Sequence, residues 1–395
     1  MSPSSPTTPD SPSAPGRPRA ELLRSRLCAW YVEHRRDLPW RHTRDPYAIW
    51  ISEAMLQQTR VETVIPYYRR FLERLPSVEA LAAASDDDVM ALWSGLGYYR
   101  RARALVKAAQ VLVAQHGGRF PRTRAEMLAL PGIGPYTAGA VLSIAFDQSE
   151  PLVDGNVVRV LARLFGLRAP RGSGELNRRL DELTAELVPP TPDEADETRA
   201  PVRPRIWNQA LMELGATVCS VRAPACLICP LSDVCVAGRS GNPEELPVAP
   251  TRKAEVLDVE LEVFVLLRRG RVLLHQRADD GLMAGLWELP TREVVPSGGR
   301  ARLWAQRLPA GGPRIRRGVE LGLVTHGITK HRIRARVHRA SVHSKEAERG
   351  QERSGRRWRW VRPADVDALG VTGMTRKALR RFLTAGGVER PSTGT

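Results

Sequence analysis

The stretch LPGIGPYTAGAVLSIAFDQSEPLVD, Leu130–Asp154, decides how this chain is read. It closes one helix, turns on two glycines, opens a second helix and ends on an aspartate. Upstream, Thr123 and Glu126 have the spacing of a capping box for a helix running through Met127 and Leu128. Pro131 and Gly132 stop that helix. Gly132 and Gly134 carry no Cβ, so the turn they make can approach another backbone closely. A helix opening near Pro135 leaves unpaired N–H groups at its tip, which suits a phosphate oxygen. An ordinary corner between two helices has the same pattern, so the hairpin alone leaves both readings open.

Toward the N-terminus, Ala20–Arg36 places Leu23, Leu27, Trp30 and Tyr31 on one helical face, with Cys28 as packing. LPWR (Leu38–Arg41) reads as a short extended link to Asp45-Pro46, an N-cap with proline in the first turn. The next helix, with AIWISEAMLQQ, sets Ile49, Glu53 and Leu56 on one stripe. Burial of a carboxylate there raises its pKa, which a general acid near neutral pH requires. A glutamate at the stripe's edge, reaching water, is the competing reading. Gln57 and Gln58 mark the helix end, and Thr59 with Glu62 predicts the cap of a helix through Tyr67, Tyr68 and Phe71. Ser77 and Ser85 open two short helices. In GLGYYRRARAL, Gly95 and Gly97 present Tyr98 beside Arg100, Arg101 and Arg103, an aromatic and basic mixture that grips nucleic acid. Of Tyr98 and Tyr99, one is expected at the surface and one packed.

Beyond Asp154, Val157–Gly166 and Glu175–Leu187 read as helices. Pro189–Pro204 is a charged, proline-rich surface insertion. Helix IWNQALMELGATVC then sets Gln209 and Glu213 on one face, Glu213 reading as structural. Cys219, Cys226, Cys229 and Cys235 follow with the spacing C-x6-C-x2-C-x5-C. Four thiolates suit zinc or an iron–sulfur cluster, and generic spacing rules do not choose between them. LDVELEVFVLLRRGRVLLHQR alternates as two strands joined at Arg269-Gly270. Trp358 and Trp360 are expected in a sheet core or edge, and RKALRRFL as a closing helix.

At 395 residues the chain predicts two or so domains. A net charge of +17 suits a polyanion, although an arginine-rich composition bias produces the same excess. No apolar run reaches the ~18 residues of a membrane span and no hydrophobic leader opens the chain, so a cytoplasmic location at the bacterial nucleoid is expected. In that compartment clustered cysteines favour a metal over disulfides.

Taken together, LPGIGPYTAGAVLS and VDGNVVRVLAR resemble the helix-hairpin-helix base-excision glycosylases, and SEAMLQQTRVETVIPYY is similar to their adenine glycosylase branch, the MutY family. The resemblance covers Ala20–Cys235 strongly and Val256–Arg381 weakly. It implies that Glu53 and Asp154 are the catalytic carboxylates. Tyr136 stands where endonuclease III-like members carry an attacking lysine, which implies base removal without a lyase step. Tyr136 and Asn156 would position Asp154 and the sugar. Trp40, Arg41 and Gln209 match contacts to the adenine, Gln58 and Tyr98 match duplex wedges, and Gly132 and Gly134 form the phosphate-binding hairpin. The four cysteines match a [4Fe–4S] signature with a structural role, ordering a loop that carries Arg222. GLMAGLWELP resembles a Nudix core, but the repeated glutamates of a Nudix hydrolase are missing after Gly285, so pyrophosphate hydrolysis is not expected. In place of the family's Phe-Ser-His recognition turn stands His326–His331, where Ile328 can wedge and Thr329 can hydrogen-bond while Lys330 replaces an imidazole. A plain strand with a bulge at Gly327 is the competing reading.

The expected architecture is therefore multidomain. An all-α helix-hairpin-helix catalytic part (20–235) carries a [4Fe–4S] loop (219–235). After a linker (236–254) comes an α+β Nudix-like lesion-recognition domain (255–384), with disordered tails at 1–19 and 385–395. The implied activity is that of a monofunctional adenine DNA glycosylase, monomeric and without membrane partners, acting on duplex DNA with adenine opposite 8-oxoguanine or guanine. Glu53 would protonate the leaving adenine, at N7 by the resemblance. Asp154 would stabilise the oxocarbenium-like sugar, and water would complete the hydrolysis.

Overall fold

The computed structural model describes residues 17–192, 202–250, 256–278, 283–294, 315–328, 331–342 and 358–383. The expected tails, apart from 17–19, fall outside the described residues, as do the centre of the proline-rich insertion and both Thr329 and Lys330. Contacts divide the chain into two units. One holds the described residues within Met1–Leu72 and Val111–Lys253, the other those within Glu73–Gln110 and Ala254–Thr395. Among the described residues no helix is long and apolar enough to cross a membrane.

The first unit is helical. Helix α1 (Arg17–His34) starts earlier than expected, and the Arg19 guanidinium lies 5.1 Å from the Phe165 ring centre. Leu23, Leu27, Cys28 and Tyr31 of α1 are buried, whereas Trp30 sits at the edge, stacked on His34. Burial pushes the Cys28 thiol up to about 12, consistent with packing rather than reactivity. The link Pro39–Arg41 is a 3-10 turn, not extended. Asp45 caps α2 (Pro46–Leu56) by accepting from the Tyr47 and Ala48 N–H groups. α3 (Val61–Arg74) departs from the predicted cap. Its first carbonyl acceptor is that of Arg60, and the Thr59 hydroxyl turns back to the Gln57 carbonyl at 3.5 Å.

In the second unit, Ser77 and Ser85 cap α4 (Val78–Ala83) and α5 (Asp86–Trp93), as the sequence indicates, and α6 (Arg100–His116) follows.

Thr123 accepts from the Glu126 N–H and caps α7 (Arg124–Ala129). Gly132, at φ +76°, makes the turn, and Gly134 caps α8 (Pro135–Phe146) with proline at its first position. α8 is buried from Thr137 to Ile144 and packs against α2, α7 and α11 (Pro204–Thr217). Its Gly139 leaves room for the next segment, because a Cβ there would stand 2.2 Å from the Pro151 carbonyl oxygen. Asp154 caps α9 (Gly155–Phe165), Ser173 caps α10 (Gly174–Leu187), and α11 packs against α1, α8 and α9. After the cysteine loop comes α12 (Val236–Arg239). The first part of the expected linker is tied down: Arg163 donates to the Leu246 carbonyl and the Arg171 N–H to that of Val248.

The rest of the second unit is a mixed sheet. β1 (Leu257–Arg268) and β2 (Arg271–Gln276) form the expected hairpin, with Arg269 and Gly270 both at positive φ, as a tight two-residue turn requires. β3 (Trp287–Glu288) joins β2, and β4 (Thr291–Val294) pairs with β1. β5 (Ile315–Ile328) and β6 (His331–Val342) form a second hairpin whose β6 runs parallel to β1. Pairing is regular at Gly327, opposite Arg332; the irregularities lie instead between Arg317 and Gly322. β7 (Trp358–Val361) borders β2, and α13 (Gly373–Leu383) buries Met374, Ala378 and Leu379 against one sheet face. Glu73–Gln110 belongs to this unit through side-chain contacts. Arg376 donates to the Ser94 hydroxyl at 2.7 Å, and a Cβ on Gly370 would meet that of Met90.

Candidate active site and cysteine loop

Glu53 is 5% exposed on α2, a helix buried from Tyr47 to Met55. The edge-of-stripe reading is therefore excluded. From α8, the Tyr136 hydroxyl donates to the Glu53 carboxylate and lies 3.4 Å from the Met212 Sδ of α11. Burial, reinforced by the charge of Asp154, raises the Glu53 carboxyl from 4.5 to about 7, against the opposing hydrogen bond from Tyr136 and the charge of Arg41. The Tyr136 phenol is itself held well above 10 by burial and by the two carboxylates.

Asp154 is held by its own helix. One oxygen accepts from the Asn156 and Val157 N–H groups at 2.9 and 2.7 Å, and the other from the Asn156 amide at 2.9 Å. Burial raises its carboxyl, and these three bonds oppose the rise because they favour the anion. One residue thus ends the hairpin–helix stretch, caps α9 and sits within the electrostatic reach of Glu53. Asn156 is fixed in turn: its side-chain oxygen accepts from Arg159 at 2.8 Å, and its Cβ occupies the space a side chain at Gly215 would need. Arg159 also donates to the Gly215 and Cys219 carbonyls.

Trp40 is buried edge-on to Tyr68, with ring centres 5.5 Å apart. Gln209 accepts from the Tyr31 hydroxyl at 3.1 Å and donates to the Arg205 carbonyl. Glu213, read from the sequence as structural, receives Arg41 and Arg36. Gln57 reaches the Thr137 hydroxyl at 3.4 Å. Gln58 is exposed and left-handed at φ +58°. In the second unit Tyr98 is 44% exposed and also left-handed at φ +51°, while Tyr99 turns inward, its hydroxyl 3.5 Å from the Val371 carbonyl. Both expected wedge residues occupy a backbone region costly for a residue with a Cβ, a feature common at functional sites. Ile328 is half-buried against the sheet core and pairs with His331.

Cys219, Cys226, Cys229 and Cys235 line one cavity of about 260 Å³. Among the described residues no group of three or more metal-ligating side chains is arranged to hold a single ion. Arg163 donates to the Cys219 Sγ at 3.4 Å and the Gly238 N–H to the Cys235 Sγ at 3.4 Å, which suits thiolates. Burial raises the Cys229 thiol to about 11, and the neighbouring cysteines add to the rise. The donor set and cavity fit a [4Fe–4S] cluster. Sequence reasoning missed Met212, Arg159 and Arg163. The spacing of Asn156 and Arg159 along one helix was the available signal for Arg159; nothing in the sequence marked Arg163.

Residues 51–186 match the HhH-GPD superfamily of base excision DNA repair proteins, and residues 262–381 match a NUDIX domain. The fold and site thus define a helix-hairpin-helix protein of base excision DNA repair with a Nudix-type C-terminal part. The chain is 39% identical over 327 residues to the adenine DNA glycosylase of Rattus norvegicus, covering 70% of this chain and 61% of that one. It is 36% identical to that of Schizosaccharomyces pombe (69% and 70% covered) and 35% identical to that of Buchnera aphidicola subsp. Baizongia pistaciae (66% and 71% covered). The chain belongs to the adenine DNA glycosylase family. It spans about three fifths of the length of the rodent relatives it matches.

Proposed function

We propose that this protein is a monomeric, monofunctional adenine DNA glycosylase that hydrolyses the N-glycosidic bond of adenine opposite 8-oxoguanine or guanine in duplex DNA. The observation that carries this reading is a buried Glu53, bonded by the Tyr136 hydroxyl and with its carboxyl raised by burial, together with an Asp154 held by three donors.

Adenine must leave the base stack to be cut out, at a cost of a few kcal/mol. Gln58 is suited to fill the gap, and the Gly132–Gly134 hairpin to hold a phosphate at the N-terminus of α8; the exposed Tyr98 of the second unit is a separate candidate for duplex contact. Adenine is a poor leaving group as an anion, so Glu53 delivers its proton to the base. The sugar then gains positive charge. Asp154 stabilises it, its own negative charge favoured by the N–H groups of α9 and the Asn156 amide. Water attacks the anomeric carbon and gives up a proton to the Glu53 carboxylate that the first step left, which completes hydrolysis and restores the acid. Tyr136 has no amine, so no Schiff base forms with the sugar and the strand stays intact. Cys219, Cys226, Cys229 and Cys235 would hold a [4Fe–4S] cluster, which orders the loop bearing Arg222 for phosphate contact. Ile328 and the neighbouring Thr329 are the candidates for contact with the opposing base.

The test is incubation with duplexes carrying adenine opposite 8-oxoguanine, guanine or thymine. Strand breaks are expected only after alkali, and only opposite the first two. Borohydride trapping on DNA, or breaks without alkali, would replace this reading with a lyase. Glu53→Gln and Asp154→Asn are each expected to abolish base release while retaining duplex binding; full activity in either contradicts the assignment.

A further inference from the structure

Glu213 lies on α11 with its side chain 1% exposed; burial would raise its carboxyl, but the bonds from Arg36 and Arg41 outweigh burial and lower it to about 2. Both its oxygens are used. Arg36 donates its backbone N–H at 3.0 Å, its Nε at 2.9 Å and its Nη2 at 2.9 Å. Arg41 donates Nη1 at 3.2 Å and Nη2 at 2.5 Å. The Arg41 guanidinium also donates to the Arg36 carbonyl at 2.7 Å and lies 5.3 Å from the Tyr31 ring centre. Arg41 is thus held on three sides, and its own side chain is 9% exposed. A buried ion pair of this kind is weak support for stability, because desolvating the charges offsets much of their attraction. Its placement points to the chemistry instead. Glu213 follows Met212, which touches the Tyr136 hydroxyl that bonds Glu53, and the charge of Arg41 acts on Glu53.

We propose that Glu213 is a positioning residue for base release: it anchors the Arg41 guanidinium at the Glu53 site and offsets its charge, so that Arg41 can stand there while Glu53 keeps the proton it must deliver. The groups acting on Glu53 are Tyr136 from α8, Asp154 at the cap of α9 and Arg41 from the turn before α2, with Glu213 behind Arg41 on α11. Arg36, Arg41 and Glu213 together carry one net positive charge. Glu213→Gln makes this two and drives the Glu53 proton off at lower pH. Arg36→Gln makes it zero and holds the proton to higher pH. The inference rests on the glycosylase reading for its role in base release, but its physical core is readable without any substrate.

The test is infrared difference titration of the carboxyl band that Glu53→Gln removes, on the cluster-loaded full chain. The midpoint is expected to fall by about half a pH unit or more in Glu213→Gln and to rise in Arg36→Gln. The double variant is expected to return toward the unsubstituted protein. Arg36 is 35% exposed at its side chain, so its variant keeps the test open if Glu213→Gln does not fold. Midpoints that stay in place, or move with the opposite signs, overturn the proposal. The alkaline limb of single-turnover adenine release, measured in parallel, should move with the midpoint. A shifted midpoint in a protein that releases no adenine leaves the charge balance standing and removes the glycosylase reading instead. A uniform loss of rate with both the limb and the midpoint unmoved would reduce Glu213 to a structural brace.

Discussion

Replacing Glu53 by glutamine is expected to destroy activity and, above neutral pH, to stabilise the fold. The Glu53 carboxyl rises from 4.5 in the unfolded chain to about 7 in the folded one, burial being the largest cause. Below pH 4.5 both states are protonated and the residue adds nothing to pH dependence. Between pH 4.5 and about 7 the unfolded chain ionises while the folded one does not, so stability is lost as pH rises. At ~1.4 kcal/mol per pH unit, the complete loss above neutral pH is on the order of 3 kcal/mol. Glutamine has nearly the same volume, stays neutral, and can still accept from the Tyr136 hydroxyl. Glu53→Gln should therefore melt roughly 6–12 °C higher at pH 8, using about 2–4 °C per kcal/mol for a unit of this size. At pH 5.5 the gain should shrink to about 1.4 kcal/mol. Thermal denaturation followed by circular dichroism, at matched cluster content across this pH range, reads the gap directly. A gap that does not widen with pH, or a variant less stable at pH 8, would refute a buried, proton-holding Glu53. The expected outcome is the usual opposition between activity and stability at a site that buries an ionisable group.

Tyr136→Phe removes the hydrogen bond that favours the Glu53 anion, so the alkaline limb of single-turnover base release should move up by roughly one pH unit, whatever happens to the maximum rate. Cys226→Ala should abolish the visible absorbance of the iron–sulfur cluster and weaken duplex binding by about tenfold, measured by fluorescence anisotropy, as the loop with Arg222 loses its order. Gly139→Ala pushes a methyl group against the Pro151 carbonyl and should lower stability by about 2 kcal/mol or more in denaturant unfolding. Because this strains the segment leading to Asp154, base release should fall more than duplex binding does.

Local chemistry was legible residue by residue. Thr123, Ser77, Ser85 and Asp45 cap the helices their side chains suit, and the Arg269-Gly270 turn lies where glycine permits positive φ. Thr59 misled because a cap depends on where the first helical turn actually closes, and here Arg60 closes it. Arg163 was invisible: an arginine on an amphipathic helix reads as a solvated face, yet it is 2% exposed and holds the carbonyls of Ser220, Val221 and Leu246. Nor could periodicity show that Glu73–Gln110 packs with the C-terminal sheet, since contacts such as Arg376 to Ser94 join positions far apart in the chain.

The sequence, read with its resemblance, picked out the groups proposed to carry chemistry: two carboxylates, a tyrosine in place of a lysine, four spaced thiols and a glycine hairpin. These are properties of side-chain type and short spacing, which the backbone transmits over a few residues. Whether Glu53 keeps a proton was decided only by tertiary packing. That depends on α2 being buried, on Tyr136 and Asp154 arriving from two other helices, and on Arg41 being held by Glu213. Desolvation and Coulomb interaction act through space, so no reading of neighbours along the chain could supply them.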